Sequence, residues 1–357
     1  MEANRLAGTE PLTEGGKIDR QRLAAFIRDT VPGCSGDMTI ERFRGGQSNP
    51  TMLISFANGR RLVLRKKPDG TLLPSAHAVD REFRVIRALA DTDVPVPQAH
   101  LLCDDESIVG AMFYVMDFAE GRSFWDPSLP DLTPAERGAI FDEMNRVIAR
   151  LHSVDYAAIG LGDFGKPGNY IGRQVARWSK QYRASETETI DAMDRLIEWL
   201  PENLPPDRPP ALLHGDYRLD NMIIHPTEPR VIALLDWELS TLGDPLADFA
   251  YHMLTWHLPQ KPFRGLADHD LAELGIPDIE QYRSTYFRRM GLEDIGQREW
   301  NTYLAYSFFR VAAIRQGIMK RVVDGTASSH FAQEAGKLAR PTAELALRFA
   351  ENADKAH

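Results

Sequence analysis

The chain has 357 residues, of which 43% are hydrophobic and 26% are charged, so it carries enough apolar surface to fold and is not disordered throughout. Its formal net charge of −9 argues against nucleic acids and anionic membranes as partners, because both attract proteins with excess Lys and Arg. The sequence contains no run of 18 apolar residues, so it predicts no membrane-spanning helix. Two cysteines, Cys34 and Cys103, cannot build a disulfide framework, which favours the reducing cytoplasm.

The first 117 residues alternate between helical and strand patterns. Residues 1–17 are polar, with no apolar core of signal-peptide length, and are predicted to form a flexible arm. The patterns that follow predict helices over 19–30 and 78–90, and strands over 52–56, 61–65, 99–103 and 111–118. Asn58-Gly59 joins the first two strands and is a strong hairpin signal. This part of the chain therefore predicts a small, mostly antiparallel sheet with one or two helices.

The rest of the chain is mainly helical. Thr133-Pro134-Ala135-Glu136 is a capping box with proline at the first helical position. Further helical patterns cover 174–183, 190–200 and 300–323. Two short apolar strands, 211–213 and 231–235, lie between them and are predicted to be neighbours. The expected fold class is α+β.

The two short strands are each followed by a carboxylate. Asp216 comes just after the first strand, Asn221 follows five residues later, and Asp236 ends the second strand. In phosphoryl transfer one carboxylate accepts the proton of the attacking hydroxyl, while an amide oxygen and a second carboxylate hold Mg²⁺ against the nucleotide phosphates. The alternative interpretation is that these are ordinary turn residues, since Asp and Asn are common in turns.

These motifs resemble a known family. The pattern His214-Gly215-Asp216, Asn221 and Asp236-Trp237-Glu238 is similar to that of the aminoglycoside phosphotransferase and choline kinase branch of the protein-kinase-like fold. The strings 63–68, 73–77 and 81–83 resemble the phosphotransferase proteins that occur alone in bacteria and fused to acyl-CoA dehydrogenases in animals. The resemblance covers about residues 38–340. It implies two lobes, an ATP-binding N-lobe over 18–117 and a mainly helical C-lobe over 118–357, with ATP and Mg²⁺ as cofactors.

The resemblance also implies a role for particular residues. Asp216 would be the catalytic residue, and Asn221 and Asp236 the metal ligands. Val63 would pack on adenine, Arg65 would reach the phosphates, and Glu82 would pair with Arg65; the alternatives are an exposed edge-strand arginine and a solvated helix charge. The nucleotide would also meet a loop before the hairpin and a linker between the lobes, whose residues are Gly45, Gly46, Gln47, Ser48, Asn49, Met116, Asp117 and Ala119. A plain tight turn and a core strand are the alternatives for these two segments.

Three features bear on how the protein differs from protein kinases. Asp163-Phe164-Gly165 spells the metal motif of those enzymes but precedes the catalytic motif, so Asp163 is predicted to be a loop residue. Gly215 replaces the arginine of the kinase H-R-D motif, and there is no A-P-E, which indicates no phosphorylation switch and a small-molecule acceptor. The resemblance also implies that the Asp-x-x-x-Asp stretch from Asp244 to Asp248 starts a helix that braces the catalytic loop, so Asp248 is expected to be structural.

The acceptor is suggested by two observations. Residues 300–321 contain four basic and no acidic residues, which favours an anionic acceptor with an apolar part, although these cations could also face solvent. The fusion to acyl-CoA dehydrogenases suggests a hydroxylated acyl thioester. The competing hypotheses are an aminoglycoside or amino-alcohol kinase, a kinase fold that transfers AMP, and a catalytically silent nucleotide-binding scaffold. The residues do not indicate the oligomeric state.

Overall fold

The chain divides into two compact units in the computed structural model, which describes residues 8–12, 18–44, 49–68, 78–327 and 331–356. The first unit comprises Met1–Pro130, Ile159–Leu161 and Arg218–Ser240, and the second comprises Asp131–Ala158, Gly162–Tyr217 and Thr241–His357. The lobes predicted over 18–117 and 118–357 differ from these units most in one segment. Arg218–Ser240, expected in the second lobe, belongs to the first unit.

The first unit contains a six-stranded antiparallel sheet with the order β1-β2-β3-β4-β6-β5. Its strands are β1 (Thr9–Pro11), β2 (Met38–Phe43), β3 (Thr51–Phe56), β4 (Arg61–Lys66), β5 (Ala99–Cys103) and β6 (Phe113–Asp117). β3 and β4 form the predicted hairpin, and Gly59 in its turn has a φ of 87°, which glycine adopts without strain. Within the predicted arm, Thr9–Pro11 forms the edge strand β1, where a proline is tolerated. Residues 1–7 and 13–17 of the arm lie outside the described residues.

Helices flank this sheet. They are α1 (Arg20–Thr30), α2 (Val79–Leu89) and the short α3 (Glu106–Val109). Asp19 caps α1 by accepting hydrogen bonds from two backbone amides of its first turn. Leu62 and Leu64 of β4 belong to the core cluster that includes α1. Because side chains alternate along a strand, Val63 and Arg65 point to the opposite face.

A two-stranded hairpin completes the first unit. It consists of β8 (Met222–Ile224) and β9 (Val231–Leu234), flanked by one-turn 3-10 helices over Leu219–Asn221 and Trp237–Leu239. The backbones of Arg122 and Ile224 exchange two hydrogen bonds of 2.7 and 2.8 Å, so the segment after β6 is tied to β8. Gly121 is needed here because a Cβ would lie 2.3 Å from the Ile224 carbonyl oxygen.

The second unit is mainly helical. Its helices are α4 (Pro134–His152), α5 (Tyr170–Ala184), α6 (Asp191–Glu202), α7 (Pro245–His257), α8 (Gln260–Phe263), α9 (Leu271–Leu274), α10 (Ile279–Met290), α11 (Gln297–Val323), α12 (Ala332–Lys337) and α13 (Ala339–Lys355). The predicted capping box is present at the start of α4. None of the helices in the described part of the chain is long and apolar enough to cross a membrane.

One strand pairing differs from the prediction. The strands 211–213 and 231–235 were expected to be neighbours, but β7 (Ala211–Leu213) pairs with β10 (Thr241–Gly243), whereas β9 pairs with β8. The prediction of a single pair was wrong because β8 and β10 have only three residues each, which is too short for a clear sequence pattern.

Candidate active site

Arg65 lies at the centre of a buried ion-pair network in the first unit. Its Nε is 3.1 Å from Oε2 of Glu82, and its terminal nitrogen is 2.6 Å from Oδ1 of Asp236 and 3.8 Å from Oε2 of Glu238. Only 11% of the Arg65 side chain is exposed. Burial alone would lower the pKa of Arg65, but the carboxylates of Glu82 and Asp236 raise it above its usual value. The structure thus contains the expected ion pair between Arg65 and Glu82, and the guanidinium is fixed in its charged form.

Glu82 is fully buried and held by three neighbours. Besides Arg65, it accepts hydrogen bonds from the side-chain amide of Asn49 at 2.9 Å and from the hydroxyl of Tyr114 at 3.0 Å. Burial raises the pKa of Glu82 to about 7, although Arg65 opposes this shift. The side chain of Asn49 therefore orients Glu82, and its predicted contact with nucleotide stays a prediction. Gly45, Gly46, Gln47 and Ser48, predicted for the same loop, lie outside the described residues.

The β8–β9 hairpin brings the two predicted metal ligands to one end. Met222 pairs with Leu234, and the carbonyl oxygen of Asn221 accepts a 2.8 Å hydrogen bond from the amide of Leu235. Asn221 and Asp236 are therefore near neighbours across this end of the hairpin. Asp236 has a left-handed backbone, with φ 67° and ψ 60°, a conformation that Asp tolerates better than most residues.

A group of carboxylates in the first unit, next to Asn221, offers oxygen ligands of the kind that Mg²⁺ prefers. Carboxylate oxygens of Glu82, Asp236 and Glu238 all lie within 4.8 Å of one another. With Arg65 as the cation among them, this cluster has an excess of negative charge when the carboxylates are ionised. Mg²⁺ prefers oxygen ligands and needs few from the protein, because phosphates and water supply the rest. Glu238 was not predicted as a site residue. The feature of the sequence that could have indicated it is its place as the third residue of the Asp236-Trp237-Glu238 motif.

The residues predicted to contact adenine lie on adjacent strands. In the pairing of β4 with β6, Val63 is directly opposite Met116, and both are buried. The side chain of Asp117 accepts hydrogen bonds from Arg60 at 2.7 Å and from His100 at 2.6 Å. The amide of Asp117 donates to the carbonyl of Gln98, so adenine could meet the backbone of this residue only through its carbonyl oxygen. Ala119 follows β6, and its predicted contact with adenine stays a prediction.

In the second unit, the loop after β7 that contains the predicted catalytic residue is held by Asp248. Its carboxylate accepts hydrogen bonds from the amides of His214 at 2.8 Å and Gly215 at 2.9 Å. Gly215 has a φ of 85°, which turns the chain sharply after β7. Burial alone would raise the pKa of Asp248, but the side chain of His152 and the loop amide lower it below its usual value. Asp248 thus braces the loop, as the sequence predicted.

Two further side chains contact the loop around Asp216. The hydroxyl of Tyr251 donates a 2.7 Å hydrogen bond to Oδ1 of Asp216, and Arg310 donates a 2.7 Å hydrogen bond to the carbonyl of Gly215. The amide of Asp216 lies 3.2 Å from Nδ1 of His214, which holds the loop as predicted. Tyr251 was missed by sequence reasoning, although it lies three residues after Asp248 and therefore on the same face of α7.

The structure weakens one argument about the acceptor. Three of the four cations in residues 300–321 have partners inside the second unit: Arg310 bonds Gly215, Arg315 bonds Thr342, and Lys320 pairs with Asp324. The cationic run therefore stabilises the protein itself and does not indicate an anionic acceptor. In the same unit, Asp163 lies exposed in a turn, in agreement with the prediction that it is a loop residue.

The comparison with protein families decides the assignment. The family model for the phosphotransferase enzyme family matches residues 39–284. The chain belongs to this family. This chain is 52% identical over 345 residues to mouse acyl-CoA dehydrogenase family member 10 and 41% identical over 341 residues to human member 11. These matches include 96% and 94% of this chain. They include only 32% and 43% of the lengths of the two relatives, which are much longer proteins.

Solved structures agree with the fold. A Ralstonia eutropha protein described as an aminoglycoside phosphotransferase is 54% identical, with a TM-score of 0.86, over 95% of this chain and 99% of that chain. Choline kinase from Cryptosporidium parvum has a TM-score of 0.64 at 14% identity, over 94% and 97% of the two chains. An aminoglycoside phosphotransferase in complex with ADP and hygromycin B has a TM-score of 0.59 at 15% identity, over 91% and 97%. These structures confirm the α+β, protein-kinase-like fold predicted from the sequence.

Proposed function

We propose that this phosphotransferase is an ATP- and Mg²⁺-dependent kinase that phosphorylates a hydroxyl group of a small molecule. The observation that carries the proposal is the buried network in which Arg65 is held between Glu82 and Asp236. Burying an ion pair is costly in free energy, so the network is weak evidence for a role in stability and fits a role in binding phosphates and a divalent cation. A phosphotransferase that shares this fold is solved in complex with ADP, and a nucleotide donor would fit the same fold here.

Each side chain has a role in the proposed reaction. Arg65 orients the phosphates of ATP, and Asn221 and Asp236 hold Mg²⁺, which neutralises charge on the phosphates when bound. Asp216 accepts the proton of the acceptor hydroxyl as its oxygen forms a bond to the γ-phosphorus and the bond to ADP breaks. The brace of Asp248 keeps the backbone of the loop in place during this step.

The acceptor we favour is a hydroxyacyl-CoA-like thioester, whose acyl chain is apolar and whose negative charge lies on the phosphates of the CoA part. The support for this acceptor is the sequence similarity to mouse and human acyl-CoA dehydrogenase family members. This chain matches one part of those longer proteins, which leaves room in them for a separate dehydrogenase part. A phosphorylated hydroxyl is a better leaving group than a free one, so the product would suit a later elimination. Similarity at 15% identity to a hygromycin-binding enzyme shows the fold alone and does not favour an aminoglycoside.

A cytoplasmic location belongs to the same proposal, because ATP and Mg²⁺ are available there. Both cysteines, Cys34 and Cys103, are buried free thiols, as expected of a protein in a reducing compartment. Nucleic acids and membranes are not proposed as partners.

The test is a screen of hydroxyacyl-CoA, amino-alcohol and aminoglycoside acceptors for stimulated release of ADP. Release of pyrophosphate would show transfer of AMP, and the absence of any nucleotide product with every acceptor would favour a silent scaffold. With an active acceptor, Asp216→Asn should slow single-turnover transfer by about 10² to 10⁴, which is about 3 to 5 kcal/mol of barrier. The matched control is Asp163→Asn, the same change at an exposed turn, which should keep full activity. If His214→Ala loses the chemistry and Asp216→Asn keeps it, the assigned roles are reversed.

A further inference from the structure

Helix α7 contacts consecutive residues of the catalytic loop through one of its faces. Asp248 binds the amides of His214 and Gly215, and Tyr251, three residues later, binds the carboxylate of Asp216. His252 then packs edge-on against the ring of Tyr217, with centroids 5.1 Å apart. Positions i, i+3 and i+4 lie on the same side of a helix, so a single face of α7 sets the shape of the loop.

The phenol of Tyr251 is itself held from a second side. The guanidinium of Arg310 lies 4.9 Å from the centre of the Tyr251 ring, and the same guanidinium is fixed by its hydrogen bond to Gly215 and by Trp178 at 5.8 Å. Arg310 is buried, with 6% exposed, so it serves this internal packing. A 2.7 Å bond from a hydroxyl to a carboxylate is of the charge-assisted kind. The orientation of the Asp216 carboxylate is therefore set by a side chain that is fixed itself.

We propose that Tyr251 is a positioning residue for Asp216: its hydroxyl fixes the rotation of that carboxylate and keeps it ionised, so that it can accept the acceptor's proton. The inference rests on the proposed function for its catalytic consequence, whereas the effect of Tyr251 on Asp216 does not depend on any activity. A hydrogen bond donated to a carboxylate stabilises its charged form. Within the described part of the second unit, the charged or titratable groups that contact this loop include His214, Asp248 and Arg310.

The test compares Tyr251→Phe with Tyr303→Phe as a matched control. Tyr303 donates a hydrogen bond of the same 2.7 Å length to another aspartate, Asp244, at the cap of α7. Tyr251→Phe keeps the ring under Arg310 and removes only the hydroxyl. We expect its kcat to fall about tenfold, its KM for ATP to stay unchanged, and the acid limb of its pH–rate profile to move up by about one pH unit. The pH–rate profile of Tyr303→Phe should match that of the wild type.

A measurement without activity completes the test. Carbon-13 NMR of Asp-labelled protein, with Asp216→Asn used to assign the signal, should show that the titration midpoint of Asp216 rises in Tyr251→Phe and not in Tyr303→Phe. If Tyr251→Phe does not fold, Tyr251→His, which keeps a ring with an N–H donor, takes its place and should retain the wild-type midpoint. An unchanged midpoint in Tyr251→Phe, or an equal rise in both phenylalanine variants, overturns the inference. A wild-type protein that phosphorylates no acceptor would refute the proposed function, and the NMR titration would then decide the role of Tyr251 alone.

Discussion

Replacing Arg65 with methionine tests whether the buried network is an interdependent unit. The change keeps much of the apolar stem and leaves the fully buried Glu82 without its cation. Removing one partner of a buried ion pair costs about 3 to 5 kcal/mol, because the remaining charge is uncompensated. The measurement belongs at pH 8, since the pKa of Glu82 is about 7 and the carboxyl group must be ionised for the full cost to appear.

The control for this prediction lies on the same strand. Arg61 is four residues earlier, on the same face of β4, and its ion pair with Glu120 is largely exposed, with 37% and 75% of the two side chains accessible. Exposed pairs contribute about 0.2 to 1 kcal/mol, so Arg61→Met should change the free energy of unfolding only slightly. Urea denaturation of both variants gives the comparison.

A double-mutant cycle with Glu82→Gln separates the ion pair from other effects of Arg65. If the pair is coupled as the distances indicate, Arg65→Met should cost about 2 kcal/mol less in the Glu82→Gln background than in the wild type. Calorimetry should also show a loss of ATP affinity of about tenfold to a hundredfold for Arg65→Met, the value of a charge-assisted hydrogen bond. Equal costs in the two backgrounds would refute the coupling, and unchanged ATP affinity would refute the contact with phosphate.

Three other predictions concern the metal site, the loop and the pH dependence of stability. Asp236→Asn should abolish the tightening of ATP binding by Mg²⁺ in calorimetry, because it removes the ligand charge; unchanged affinity for Mg·ATP would contradict the assignment. Asp248→Asn should lower the free energy of unfolding by about 3 kcal/mol, because an amide cannot accept both loop hydrogen bonds as an ionised carboxylate does. If urea denaturation shows a loss of less than about 1 kcal/mol, Asp248 does not brace the loop. Burial holds the pKa of His252 at about 4 in the folded protein, below its usual value of 6.5. The unfolded chain therefore binds this proton first, so stability should fall as the pH drops from 6.5 towards 4, by up to about 1.36 kcal/mol per pH unit. In urea denaturation at pH 7, 6 and 5, His252→Gln should show a shallower pH dependence than the wild type, and equal slopes would contradict this origin.

Much of the fold could be predicted because its signals are local. The strand 99–103 occurs as predicted, as Ala99–Cys103, and the capping box after Thr133 starts α4. The Asn58-Gly59 turn likewise joins the two strands of the predicted hairpin. In each case a few adjacent residues determine the conformation, so a pattern in the sequence is sufficient.

The contacts that the sequence did not reveal join distant residues. The hydrogen bond from Tyr251 to Asp216 spans 35 positions, and that from Arg310 to Gly215 spans 95. The spacing places Tyr251 on the same helix face as Asp248, but it does not show which residue its hydroxyl binds, and no neighbouring residue indicates the partner of Arg310. The pairing of β7 with β10 was not predicted for the same reason, because a strand of three apolar residues fits several partners equally well.

The left-handed backbone of Asp236 limits which residues can replace it during evolution. Gly, Asn and Asp adopt this conformation readily, whereas a β-branched or bulky residue would strain the turn before the helix Trp237–Leu239. A relative that has lost catalysis is therefore expected to carry Asn or Gly here, since either keeps the turn and removes the charge. Such a residue in a related sequence would distinguish a protein that keeps the fold as a scaffold from one that remains under selection as an enzyme.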